Sequence, residues 1–147
     1  MRTLSNIDIE DLCKRYNIKF DGLYNRDNIP NNLSKGYYVL NMDKESGDGT
    51  HWVSWFENND DKINIYFDSF GFVPPELLDG LLKTYIYNSK EIQDIDSSSC
   101  GWFCVAFMFC LQNYPDNEVK NFERFVNMFG DNTEVNEKTL ELFFESL

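Results

Sequence analysis

A chain of 147 residues suits one compact domain with a substantial core, here taken as residues 1–147. Its 42% hydrophobic and 16% aromatic residues exclude a disordered polymer, and no run approaches the roughly 18–20 apolar residues of a membrane span. With 25 acidic residues against 13 basic, the net charge of −12 disfavours phosphate-neutralising contact with DNA, and no Lys/Arg cluster offsets it.

The first residues turn acidic at Asp8 and Glu10, which does not read as a secretory signal, so a non-secreted protein without membrane contact is expected. Ser5-Asn6-Ile7-Asp8 has a capping-box pattern, and Ile7, Leu12, Cys13 and Tyr16 follow at helical spacing, predicting a helix over about 6–16. Asp27 to Asn32 is a turn-rich loop. Gly36 to Met42 reads as a buried strand. Lys44 to Gly49 is a flexible connection that delivers His51 to a second strand, His51 to Phe56. Asn58-Asn59-Asp60-Asp61 is a hairpin turn, and Lys62 to Asp68 is the third strand. The hairpin places His51 and Asp68 near one open end.

Pro74-Pro75 predicts the start of a short amphipathic helix carrying Leu77, Leu78, Leu81 and Leu82. Tyr85-Ile86-Tyr87 and Ile92 to Ile95 read as short extended pieces or an edge strand. A helix begins at Cys100, is apolar on nearly every side, and stops near Asn113 ahead of Pro115. Two amphipathic helices follow, one with Val119, Phe122, Phe125, Val126 and Phe129, the other with Leu140, Leu142, Phe143, Phe144 and Leu147. One α+β domain accounts for this order.

Ser97-Ser98-Ser99-Cys100-Gly101 puts a thiol at the first turn of that buried helix. Unpaired N–H groups and a partial positive charge at such a place favour thiolate over thiol and can hold an oxyanion. A nucleophilic thiol also needs a base, and the base needs an orienting acid. The chain has one histidine, His51, with Asp68 and Gln93 at the ends of neighbouring elements. Each residue also has a plainer reading: a core thiol, a satisfied histidine, a turn aspartate, a solvated glutamine. The remaining cysteines read as small core residues. The spacing of Cys100, Cys104 and Cys110 is no zinc pattern, and free thiols with no metal and no cofactor are expected.

Four motifs change the balance. Gly49-Thr50-His51-Trp52, Tyr66-Phe67-Asp68-Ser69-Phe70-Gly71-Phe72, Gln93 seven residues before Cys100, and Ser99-Cys100-Gly101-Trp102-Phe103-Cys104 resemble, in order and spacing, the adenovirus-type (adenain-like) viral cysteine proteases. That family is related to the ubiquitin-like-protein-specific cysteine proteases. The resemblance fades after about Asn113. It implies a papain-like-type domain, with a central mixed or antiparallel sheet packed on the helix that bears the nucleophile. It also implies catalytic roles for Cys100, His51, Asp68 and Gln93, with Trp52 bordering the substrate. Asp68 stands where adenovirus enzymes typically have Glu, as in the modifier proteases.

The activity implied is a cysteine endopeptidase cutting after Gly or another small residue in capsid or virion precursor proteins during maturation. Such a protein works as a monomer in the virion and the infected cell. The family's short activating peptide is not carried over to this chain, and DNA stimulation lacks a basic run to support it. A deubiquitinase or deSUMOylase-like protease is the nearest rival. A non-catalytic virion structural or binding module is the rival of another class.

Overall fold

The computed structural model describes residues 1–43, 51–59 and 62–147. The predicted Lys44–Gly49 connection, the Gly49-Thr50 half of the histidine motif and the Asp60-Asp61 end of the hairpin turn lie outside them. In chain order the elements are α1 (Asn6–Arg15), β1 (Gly22–Asn25), β2 (Gly36–Asn41), β3 (Trp52–Glu57), β4 (Asn64–Phe67), a 3₁₀ turn (Glu76–Leu78), β5 (Tyr85–Tyr87), α2 (Cys100–Asn113), α3 (Glu118–Val126) and α4 (Thr133–Glu145). The fold is α+β.

The five strands form one mixed sheet in the order β1-β2-β3-β4-β5. β2, β3 and β4 are antiparallel neighbours, with Leu40 opposite Val53 and Ser54 opposite Phe67. β1 and β5 join the two edges in parallel. The central strands are buried on both faces, which is why they read as unbroken apolar runs. Tyr37, Val39, Trp52, Phe56, Ile65 and Phe67 face the helices, while Tyr38, Leu40, Val53, Trp55 and Tyr66 face a smaller cluster capped by Leu78 and Leu82. Side chains alternate across the pleat, so each strand feeds both cores.

Helix α2 lies at the centre of the larger core, with ten of its residues buried from Cys100 to Leu111. Phe107 is fully buried, stacked on Phe67 at 5.4 Å and meeting Phe122 and Phe125 edge-on at 5.8 and 6.1 Å. Truncating an aromatic in such a position costs about 3–5 kcal/mol. The helix ends as Tyr114 turns extended ahead of Pro115, and the Asn121 amide takes up the carbonyls of Leu111, Tyr114 and Asp116. α1 starts on the expected capping box, with Asp8 N–H donating to Ser5 Oγ and Ser5 N–H to Asp8 Oδ2.

Three expectations are corrected. The helix after Pro74-Pro75 is a single 3₁₀ turn, because Asp79-Gly80 follows at once and glycine is a poor helix former. Its leucines still cover the sheet. Ile92 to Ile95 is not a strand: the Ile92 and Gln93 N–H groups both donate to the Ser69 carbonyl instead of to a ladder. β1 went unpredicted, since its four half-buried residues show no alternation.

Candidate active site

His51 immediately precedes β3, and its carbonyl accepts from Met42 N–H at 2.8 Å, holding it against the end of β2. Asp68 immediately follows β4. Because β3 and β4 are paired with Ser54 opposite Phe67, their ends bring the two side chains together, and His51 Nε2 lies 2.7 Å from Asp68 Oδ1. Both residues are buried. A carboxylate can only accept, so Nε2 carries the proton of this bond and Nδ1 is the nitrogen left to exchange one. Nδ1 is buried and has no hydrogen-bond partner.

Cys100 opens α2 and is 5% exposed. The Trp52 backbone N–H points at its sulfur, at 3.5 Å. Burial alone would lower the His51 pKa; the hydrogen bond and charge of Asp68, with the nearby Cys100 sulfur, outweigh it, and the pKa is raised to about 9. The other thiols are remote from this work. Burial pushes Cys13 up to about 12, Cys110 up to about 11, and Cys104 well above the usual thiol range. All four cysteines are free and buried.

Neighbours that the sequence reading did not single out hold these groups in place. The Phe70 ring lies face-on to the imidazole, 4.1 Å between centroids and 10° from parallel. Phe70 N–H also donates to Asp68 Oδ1 at 2.9 Å, so one oxygen serves both His51 and the turn. That turn closes with Gly71 N–H on the Asp68 carbonyl at 2.8 Å. Gly71 has φ +83°, and a Cβ there would meet the Lys90 carbonyl oxygen at 2.8 Å, so only glycine fits without strain. Buried Asn88 clamps Asp68 from the far side, accepting from its N–H at 3.2 Å and donating to its carbonyl at 2.6 Å. Phe70 could have been flagged from its place in the acid motif. Asn88 lies twenty residues from Asp68 and carries no local signal.

The N-terminal segment ties the start of β3 to the start of α2. Leu4 carbonyl accepts from the Trp52 indole at 2.9 Å, and Arg2 carbonyl accepts from the Trp102 indole at 2.9 Å. The Leu4 side chain sits where a Cβ on Gly101 would fall, at 3.0 Å. Trp52 therefore turns its indole into the interior and offers the sulfur only its backbone. Gln93 is fully buried; its Oε1 accepts from Ser69 Oγ at 2.5 Å and its Nε2 donates to the Ser97 carbonyl at 3.0 Å. The first turn of α2 has no side-chain cap, which leaves the N–H groups there available. Among the described residues no group of three or more His, Cys, Asp or Glu could hold a metal ion, and no helix is long and apolar enough to cross a membrane.

A thiol, an imidazole and a carboxylate in this order, at a helix start with open N–H groups, can perform nucleophilic acyl transfer. Comparison with known proteins points the same way. The chain is 28% identical to the protease of bovine adenovirus 2 over 97 residues, covering 53% of this chain and 46% of that protein. It resembles the adenovirus proteases. Against the protease of bovine adenovirus 7 it is 25% identical over 101 residues, covering 56% of this chain and 50% of that one. This adenovirus-protease-like chain spans about half the length of the relatives it matches. No protein-family model matches it.

Proposed function

We propose that this protein is a viral cysteine endopeptidase, with Cys100 as nucleophile, His51 as base and Asp68 as the acid that orients it. The observation that carries the reading is the 2.7 Å His51–Asp68 bond, with the Cys100 sulfur 3.5 Å from the backbone N–H of the next residue, Trp52. Similarity to proteins named as proteases supports the reaction class. The arrangement fits a papain-like-type domain, with the nucleophile on a central helix and the base and acid on the facing sheet.

In the mechanism, His51 Nδ1 holds the proton from the Cys100 thiol, and the sulfur attacks the scissile carbonyl. Negative charge develops on the carbonyl oxygen, where the Cys100 backbone N–H and one N–H of Gln93 stabilise it. The Ser97 carbonyl can only accept, so it fixes which end of the Gln93 amide is nitrogen, and that nitrogen has a second N–H for the oxyanion. His51 then protonates the leaving amine, and water hydrolyses the acyl-enzyme. The substrates are viral capsid or virion precursors cut after glycine or another small residue.

Wild type and Cys100→Ala should be compared on fluorogenic Gly-Gly peptides, on ubiquitin-like modifier conjugates, and on virion proteins screened by mass spectrometry. Cleavage of the peptides and virion proteins by wild type alone is the expected result. Preference for the folded conjugates would move the assignment to a modifier protease, a reading that Asp68 in place of Glu favours. Equal inertness of both proteins on every substrate sinks the peptidase assignment.

A further inference from the structure

We infer that Ser69, Ser97 and Glu137 form a hydrogen-bonded relay that positions the Gln93 amide, making the C-terminal helix α4 part of the catalytic apparatus. The inference rests on the reading of Gln93 as oxyanion donor. Its direction follows from which groups can donate. The Glu137 carboxylate only accepts, so Ser97 Oγ–H must point to it, at 3.1 Å. Having spent its proton there, Ser97 Oγ can only accept, and its two lone pairs are shared among Ser99 Oγ–H at 2.9 Å, Ser99 N–H at 3.3 Å and Gln93 Nε2 at 3.3 Å. The Ser97 carbonyl accepts from the same Gln93 nitrogen at 3.0 Å, so the reading of Gln93 as oxyanion donor takes both Ser97 oxygens on one shared N–H. At the other end, Ser69 Oγ–H closes on Gln93 Oε1. Glu137 thus orients the Ser97 and Ser99 hydroxyls, while the Ser97 carbonyl sets the end of the Gln93 amide that Ser69 meets.

Within the relay, Ser69, Gln93 and Ser99 are each 1% exposed or less, while Ser97 and Glu137 are half-buried. Its backbone is fixed in parallel, since the Ser69 carbonyl accepts from both Ile92 and Gln93 N–H. The residue beside Glu137 on α4, Asn136, donates to the Ile92 carbonyl at 3.0 Å, so two consecutive α4 residues grip the chain on either side of Gln93. Ser69 directly follows the acid Asp68, and Ser99 directly precedes Cys100. The relay therefore runs from the acid's turn, through the oxyanion donor, to the start of the nucleophile helix. Buried networks of this kind lock an orientation when every member is satisfied.

Ser69, Ser97 and Glu137 are positioning residues, and the test must separate orientation from folding and from chemistry. Glu137→Ala, Glu137→Gln and the exposed neighbour Lys138→Ala should be compared with wild type. The readouts are the Gln93 side-chain amide resonances by NMR, and kcat and KM on a Gly-Gly peptide. Glu137→Ala should move both Gln93 amide proton resonances and lower kcat on the order of tenfold with KM unchanged. Glu137→Gln, which keeps an accepting oxygen, should restore most of both, and Lys138→Ala should leave both alone. If Glu137→Ala does not fold, Ser97→Ala cuts the same link from inside.

Unmoved Gln93 resonances overturn the relay whether or not the protein cleaves anything. Moved resonances with an unchanged kcat in an active enzyme overturn its catalytic role. A wild type inert on all peptides counts against the peptidase assignment instead, and the amide resonances alone then decide the relay.

Discussion

His51 Nε2 and Asp68 Oδ1 meet at 2.7 Å across the open end of a hairpin, and the same oxygen accepts the Phe70 N–H at 2.9 Å. The second bond decides how substitutions at Asp68 behave. In Asp68→Asn the Phe70 N–H selects the amide oxygen for the shared position, so His51 keeps an acceptor and its tautomer. In Asp68→Ala both donors lose their partner. We expect Asp68→Asn to lose on the order of tenfold in kcat/KM and Asp68→Ala on the order of a thousandfold. Equal losses in the two variants would show that charge, and not the accepting oxygen, is what His51 needs.

The raised His51 pKa sets a pH dependence of known sign. Its folded value of about 9 lies above the ordinary ~6.5, so the folded protein binds the extra proton more tightly. By linkage, the resulting stability is fully present below about pH 6.5 and is lost as pH rises through about 9. Urea midpoints measured from pH 6 to 10 should fall more steeply in wild type than in His51→Gln. The His51 Cε1–H resonance should titrate with a midpoint near 9, and lower in Asp68→Asn, where the compensating charge is gone.

Phe70 covers one face of the imidazole, an arrangement that attracts an imidazolium more than a neutral ring. Such a contact is worth about 0.5–2 kcal/mol, which corresponds to up to about 1.5 pKa units. Phe70→Leu keeps apolar cover but removes the π face, so it should lower the His51 midpoint and, by the same linkage, lower the melting temperature at pH 6 more than at pH 10. A midpoint unchanged in Phe70→Leu would reduce the ring to a spacer.

How much of this was legible in sequence depends on where the information sits. Capping at Ser5, the apolar run after Cys100 and the two amphipathic helices each carry a local period or cap, and all appear near where their patterns put them, although α3 ends at Val126 and α4 at Glu145, short of Phe129 and Leu147. The meeting of His51 and Asp68 was legible because a hairpin has one open end and both residues flank it. β1 was not, since a four-residue edge strand owes its existence to β2 and not to its own sequence. Gln93 was found by its distance from Cys100, but its partners were invisible: Glu137 lies forty residues beyond Ser97, on a helix whose sequence pattern shows only that one face is apolar. Long-range polar bonds leave no periodic trace. The same holds for Asn88.

Asn88 offers the sharpest stability test, because its two ends do opposite jobs. Its Oδ1 accepts from Asp68 N–H, while its Nδ2 donates to the Asp68 carbonyl at 2.6 Å and to the Lys90 carbonyl at 3.4 Å. The residue is 3% exposed, so water cannot replace it. Asn88→Ala leaves the Asp68 N–H and the Lys90 carbonyl to find partners, while the Asp68 carbonyl keeps the Gly71 N–H, and should cost about 1–3 kcal/mol. In a chain of this size that is a fall of roughly 2–4 °C in melting temperature for each kcal/mol. Asn88→Asp is isosteric yet should be worse than alanine at pH 7, because it sets a buried carboxylate against two carbonyl oxygens. It should recover relative to alanine as pH falls and the new carboxyl gains a proton to donate. Thermal melts of the three proteins at pH 7 and pH 5 read the order directly. An aspartate variant more stable than alanine at pH 7 would mean that the Asp68 turn is held by Gly71 and Phe70 alone.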